Sequence, residues 1–386
     1  MTISNTLTDL QGEIYSAIDV VSREPIGFLP SIQLNGAASR VQKGDSAKVP
    51  ISAATTGVDI TPAMTVPEPT DKTTSYRNIT ISKSRAYAFG ITGEERQGLN
   101  NGMGFPSWQS AEIGQAIRGL INEMEEDAAD LVIQACRAYG TAGTTPFASD
   151  LTDAANIMKI LQDNGAPVRA GWNMVLNTTA GAKLRAMGLF TKANEAGSTT
   201  FRDQGMFADI FGARIRESGQ ISAHTKGTGA SATTDDTGYA VGSTTITLAS
   251  AGTGTILAGD VITFAGDTNK YVVKTGDADV SGGGTIVLRE PGLQVAIGEA
   301  ATAITVGASY TPNVGFTPDA IQLAARLPAL PQEGDSAIDR MAVTDPMSGI
   351  VYEFAIYPGY RQNRYEVSAA WGVAMTKEEH AAILLG

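Results

Sequence analysis

The sequence is poor in reactive side chains. Among its 386 residues there is one cysteine, Cys136, and there are two histidines, His224 and His380. A single cysteine excludes an intrachain disulfide and fits folding in a reducing compartment. With the histidines so far apart, neither HxxxH nor CxxC metal spacing exists, so no metal site is expected. Nucleophile elbows of the form GxSxG, phosphate loops of the form GxxxxGK[ST], and a GxGxxG turn after a strand are all missing. Neither an enzyme nor a cofactor is expected on these grounds. Basic residues are also short: 28 against 40 acidic, a net charge of −12. Such a chain cannot grip nucleic acid over its whole surface, because phosphate binding needs Lys and Arg. An acidic wall around nucleic acid stays compatible, since repulsion keeps the polymer from sticking. No apolar run approaches the roughly 20 residues of a membrane span, so no membrane is expected. The first residues lack a basic region followed by an apolar run, and no secretory leader is expected.

What the chain does have is a long helical pattern. From Trp108 to Tyr139 the apolar residues Ile113, Ile117, Leu120, Ile121, Met124, Ala128, Leu131, Val132 and Ala135 recur at steps of three and four. That spacing makes one stripe on a helix. The other face carries Glu112, Glu123, Glu126, Asp127, Asp130 and Arg137. Pro106 and Ser107 suit its start, Gly140 and Gly143 its end. One helix of this span would be about 50 Å long at ~1.5 Å per residue. The acids Glu123, Glu125, Glu126, Asp127 and Asp130 read as a solvated helix face rather than a cation site. Cys136, late in this helix, reads as a buried structural residue. The two histidines read as packing or solvated residues.

Before this helix, residues 8–24 form an amphipathic pattern with Leu10, Ile14, Ile18 and Val21 on one side. Residues 36–100 are polar and nearly free of helix signals. Lys48 to Ser52 is one extended run, and Asn78 to Ser82 alternates and continues through Ala86 to Ile91. Alternation of this kind marks strands with one buried face. Residues 40–90 therefore read as a two-stranded excursion. An isolated hairpin is marginal in water, so the excursion is expected to rest on a neighbouring subunit. Its charged residues Arg40, Lys43, Lys48, Asp59, Glu68, Asp71 and Arg77 are the candidate contacts with that neighbour.

After the long helix, residues 150–221 alternate helix and strand: a helix through Ile157, Ile160 and Leu161, a buried strand from Trp172 to Asn177, a helix from Thr178 to Met187, and a strand ending at Ser218. Residues 222–309 lose the helical signal. They hold short apolar runs, Thr244–Leu248, Asp260–Phe264, Tyr271–Lys274, Thr285–Leu288 and Ala303–Val306, separated by turn residues. Such spacing argues for a small barrel or sandwich. Gly252 and Gly254 read as turn chemistry there. From Tyr310 the earlier style resumes. A helix is expected from Phe316 to Leu327, a hairpin from Ala337–Thr344 to Ile350–Tyr357 around Asp345 to Gly349, a strand from Arg364 to Met375, and a helix from Lys377 to Leu385.

The serial order of these parts resembles the major capsid proteins of tailed bacteriophages, the Hong Kong 97-like fold, and within it the gene-five coat-protein family of short-tailed phages. The residues that carry the resemblance are Asn78 to Glu95, the helix 108–139, Met174 to Ala180, Phe211 to Ser218 with Ile221 to Thr225, Gly259 to Phe264, Asn313 to Phe316 with Asp319 and Ala320, and Tyr365 to Ala374. The resemblance implies an α+β chain with an N-terminal arm at 1–35, an E-loop at 36–100, and a peripheral domain with a spine helix at 101–149. It further implies an axial domain at 150–221 and 310–386 with returning peripheral strands, and an inserted β domain at 222–309. It implies a major capsid protein that self-assembles as hexamers and pentamers of an icosahedral shell. The shell would enclose double-stranded DNA without sequence-specific binding, be assisted by a separate scaffolding protein and a portal, be assembled in the host cytoplasm, and reside in the virion. Three other readings stand beside it: an encapsulin-like compartment shell, a surface adhesin suggested by the Gly- and Thr-rich insert, and an enzyme carrying an inserted β domain.

Overall fold

The computed structural model describes residues 25–51, 57, 60, 62, 64, 75–100, 105–187, 209–345 and 349–386. The amphipathic pattern at 8–24, the candidate contacts Asp59, Glu68 and Asp71, and the hairpin turn at 346–348 lie outside the described residues.

Two large sheets carry the architecture. The first has six strands: β1 (Gln33–Val41), β4 (Lys83–Thr92), β14 (Ile321–Pro328), β15 (Asp339–Thr344), β16 (Val351–Gly359) and β17 (Gln362–Met375). Its axis is β17, which is long enough to pair β4 along Gln362 to Trp371 on one side, and β16 then β14 on the other. β15 and β16 form the expected hairpin, with Thr344 opposite Val351. The helix α2 (Phe105–Asp130) lies on this sheet. Its stripe of Ile113, Ile117, Leu120, Ile121, Met124 and Ala128 is buried in one core with Phe354, Tyr365, Val367 and Trp371. A short helix α1 (Gly93–Asn100) precedes it.

The second sheet runs β12 (Ile304–Val306), β9 (Val261–Phe264), β10 (Lys270–Thr275), β5 (Arg137–Tyr139), β18 (Ala381–Leu385), β13 (Pro312–Phe316), β6 (Trp172–Asn177), β7 (Ala213–Ser218). β11 (Gly284–Leu288) joins it through β10, and β8 (Thr245–Leu248) through β11. The helices α3 (Thr152–Asp163) and α4 (Thr178–Arg185) flank β5, β18, β6 and β7, as the alternating pattern of 150–221 predicts. A third, two-stranded sheet pairs β2 (Ser46–Ile51) with β3 (Ser75–Thr80).

Four expectations need correction. The long helix stops at Asp130, tightens into a 3-10 turn at Leu131–Gln134, and turns extended at Ala135. Arg137–Tyr139 is a strand between β18 and β10, because those strands offer its backbone hydrogen bonds that a helix end would leave open. Cys136 is therefore buried, but not helical. The helix expected at 316–327 is strand β14. It has a partner on each side, β1 in parallel and β17 in antiparallel register, and Ile321, Leu323, Ala324 and Ala325 are all buried. A strand covered on both faces shows an unbroken apolar run, and periodicity cannot tell that from a helix. The terminal helix is likewise strand β18, all five residues buried between β13 and β5, after a 3-10 turn at Glu378–His380. The run 78–91 is not one strand of a hairpin either. It breaks at Ile81 and Ser82, so β3 stays in the ribbon while β4 enters the body sheet.

The apolar runs of 222–309 fall on β8 to β12 as expected. They enclose a core of their own, with Ile246, Leu248, Ile262, Phe264, Tyr271, Val273, Ile286 and Leu288. The segment is nonetheless stitched to the rest. Tyr271 pairs with Ile262 on one side and Arg137 on the other, and Val261 and Val272 turn into the main core. Val287 is only half-buried.

Candidate assembly surfaces

Of the described contact candidates, the β2–β3 ribbon holds Lys48 and Arg77, while Lys43 lies in the turn before it and Arg40 on β1. The root of the ribbon does not hang free. Ile79 and Ile81 are buried against Ala324 and Ala370 of the chain's own six-stranded sheet, with Val41, Ala47, Val49 and Ala374 around them. The approach is close enough to require glycine: a Cβ on Gly372 would stand 1.9 Å from the Thr80 carbonyl oxygen. Ser82 adds a backbone hydrogen bond to the Trp371 carbonyl at 3.0 Å. The expectation that the whole excursion rests on a neighbour is thus corrected for its root, which the chain supports itself. Further out the contact loosens. A cavity of about 410 Å3 separates Lys48 to Ile51 from Asp319, Gln322, Thr376 and Lys377. Between β2 and β3 in sequence, Ile60 and Met64 are fully exposed.

The candidates are placed differently from one another. Arg40 is committed within the chain, donating to the Pro328 carbonyl at 2.8 Å and pairing with the buried carboxylate of Glu353. Lys43 is exposed in the tight turn between β1 and β2, where Gln42 N donates to Asp45 at 3.0 Å. Lys48 is exposed, with its ammonium 4.6 Å from the centroid of the Tyr76 ring. Arg77 is exposed and stands opposite Val49 in the ribbon register. Lys48 and Arg77 share the ribbon with Lys43 in the turn before it, while Arg40 stands on β1 with its guanidinium engaged within the chain.

The face of α2 expected to be solvated is exposed at Glu126 and Asp130, whereas Glu123, Glu125 and Asp127 are anchors. Glu125 is 1% exposed. Its carboxylate accepts backbone N–H groups from Gly27, Phe28 and Leu29 at 2.7, 2.8 and 2.9 Å, which fastens the chain entering β1 to the helix. Glu123 accepts from Tyr87 at 2.7 Å and Arg85 at 3.1 Å on β4, and that bond pushes the Tyr87 hydroxyl above its ordinary pKa. Asp127 accepts from Trp371 Nε1 at 2.8 Å and pairs with Lys83 at 2.7 Å. Of the acids, Glu126 and Asp130 are exposed. Sequence reasoning missed Glu125, although a signal existed. It lies four residues after Ile121 and three before Ala128, on the apolar stripe itself, and a carboxylate there must find donors.

The remaining reactive groups are enclosed. The Cys136 thiol donates to the Ala381 carbonyl at 2.9 Å, and burial pushes its pKa up to about 11. His224 meets the fully buried Asp260 at 3.0 Å, and Asp260 also accepts from Leu257 N at 2.8 Å. His380 meets Asp319 at 2.9 Å. Burial pushes the Asp319 carboxyl up, but the hydrogen bonds from His380 and Thr317 and the charges of His380 and Lys377 outweigh it and hold it far below the usual carboxylate range. Among the described residues, no group of three or more His, Cys, Asp and Glu side chains could hold a metal. No helix among them is long and apolar enough to cross a membrane.

No protein-family model matches the sequence, and neither does any curated protein. Solved structures do resemble it. A structure of Mycobacterium phage Che8 aligns over 89% of this chain and 85% of its own at 14% identity, with a TM-score of 0.46. The capsid of a native GTA particle aligns over 99% of both chains at 11% identity, with a TM-score of 0.46. The capsid of the cyanophage P-SCSP1u aligns over 100% of this chain and 91% of its own at 11% identity, with a TM-score of 0.51. On that last likeness, the mixed α+β chain has the fold of a phage capsid subunit, the Hong Kong 97-like fold expected from the sequence.

Proposed function

We propose that this chain is the major capsid protein of a tailed bacteriophage, a tile of an icosahedral shell around packaged double-stranded DNA. The observation that carries the reading is the alignment with the cyanophage capsid, which spans 100% of this chain and 91% of that one. Fold alone does not dictate function, so the reading also draws on two features of this chain. One is a ribbon whose root is held and whose outer part offers cations and fully exposed Ile60 and Met64. Large exposed apolar residues on a reaching element suit contact with another subunit. The other is the net charge of −12, which suits a container wall along which DNA slides.

In this proposal the tiles form hexamers and pentamers, aided by a separate scaffolding protein and a portal, and the shell is assembled in the host cytoplasm. Lys43, Lys48 and Arg77, with Asp59, Glu68 and Asp71, make the contacts to the next tile. Residues 222–309 are the inserted domain of a gene-five-like coat protein, bracing the wall. The test is deletion of Val49 to Tyr76. The deleted chain should stay soluble and melt cooperatively yet form no normal shells. Unfolding of the deleted chain would place the ribbon in the core and overturn this division of labour.

A further inference from the structure

A cavity of about 400 Å3 opens between α3, β5 and the turn leading into β10. Its charged lining has one sign: Arg137, Lys159 and Lys270, with no aspartate or glutamate among the lining residues. In a chain with 40 acidic and 28 basic residues, that is a local reversal of charge.

The cation at its base is poorly answered. Arg137 is 4% exposed, and a guanidinium cannot shed its proton. Its terminal nitrogens donate to neutral amide oxygens, Nη1 to Asn269 and Nη2 to Asn164, each at 3.3 Å. Its Nε is buried and has no hydrogen-bond partner. Asp163 lies 3.9 Å from Nη2, but it is half-exposed and taken by Lys159 at 2.7 Å. Lys270 donates only to the Gly140 carbonyl, and burial pushes its ammonium below the ordinary lysine pKa. A buried charge without a full counter-charge is costly, and an anion in the cavity would lower that cost.

We propose that this cavity binds a small phosphate-class oxyanion, of the size of inorganic phosphate or pyrophosphate, through Arg137, Lys159 and Lys270. The volume is at the lower end of the roughly 300–1,000 Å3 of small-molecule sites, ample for such an anion. Arg137 and Lys270 suit a multiply charged tetrahedral group, whose oxygens can engage them together, with Lys159 at the rim shared with Asp163. A lone carboxylate from a protein side chain offers one fork to one partner. Thr141 and Thr268 line the same wall. The inference does not depend on shell formation.

Calorimetric titration of the purified full chain at low ionic strength tests it, with pyrophosphate as the probe and a short single-stranded oligonucleotide as the comparison. Saturable binding of one pyrophosphate per chain is expected. It should weaken about tenfold or more in Lys270→Met, weaken several-fold in Lys159→Ala, and fade as salt is added. Arg137→Gln should abolish it. If that variant fails to melt cooperatively, the two lysine variants decide. Absence of saturable binding overturns the proposal, as does pyrophosphate binding unchanged in both lysine variants. Oligonucleotide binding through these residues without pyrophosphate binding also overturns it, because the surface would then be an open polymer track.

Discussion

The β2–β3 ribbon and the 222–309 segment look alike as sequence. Each is Thr- and Ser-rich, strand-forming, and nearly free of helix signals. In the fold they stand at opposite ends of one scale. The segment buries Ile246, Phe264, Tyr271, Ile286 and Leu288 against one another. The ribbon buries Ile79 and Ile81, and only by leaning on Ala324 and Ala370 of the body. A two-stranded element has no second layer, so it must borrow one. The segment has strands enough to build its own. The difference is that one element depends on the body for its buried face and the other does not.

That contrast can be broken most forcefully inside the segment. Ile286 is fully buried in the segment's own core. Ile286→Asp should cost upwards of about 4 kcal/mol, because it buries an unpaired charge. Hydrogen exchange should show protection lost over 245–306 and kept in β16 and β17. Equal loss in both places would mean that the segment has no core of its own. A milder blow suits the ribbon. Gly372→Ala puts a methyl into the Thr80 backbone and should cost about 1–3 kcal/mol, the usual penalty of overpacking. Proteolysis between β2 and β3 should quicken while the 222–309 segment melts unchanged. An unaltered cleavage rate would show that the ribbon does not rest on Gly372.

How much of this was legible beforehand depended on what covers each strand. β4 was readable because half-buried and exposed residues alternate along it, and β15 and β16 because they flank the turn residues Asp345 to Gly349, although Val351 to Ala355 are all buried. β14 and β18 were misread as helices because Ile321 to Ala325 and Ala381 to Leu385 are buried on every side, so no period survives. The stripe of α2 was readable, but its end was not, since Val132 and Ala135 continue the helical spacing while the chain turns into β5. The anchors Glu123, Glu125 and Asp127 looked like solvent-facing acids because their donors come from residues 27–29, Tyr87, Lys83 and Trp371, distant in sequence. The ribbon was legible as a ribbon, whereas its support was not. Nothing near Ile79 signals that Gly372 will accept its neighbour Thr80.

The smallest expected effect sharpens the comparison through pH. Asp319 lies below the ribbon, across the cavity from Lys48 to Ile51. Its folded pKa is depressed, so its contribution is present above the unfolded value of about 3.9 and is lost as pH falls through the folded value. Asp319→Asn should therefore melt below the parent at neutral pH, and the gap should narrow as pH drops below about 4. A gap that stays constant down to strong acid would show that the carboxylate is not held by His380 and Lys377.

The central claim is that this chain builds closed shells, and particle sizing of the purified 40.2 kDa chain tests it most directly. Light scattering and electron microscopy at rising concentration, with and without the scaffolding protein proposed above, should show closed shells or large oligomers. A monodisperse monomer under both conditions would contradict the account.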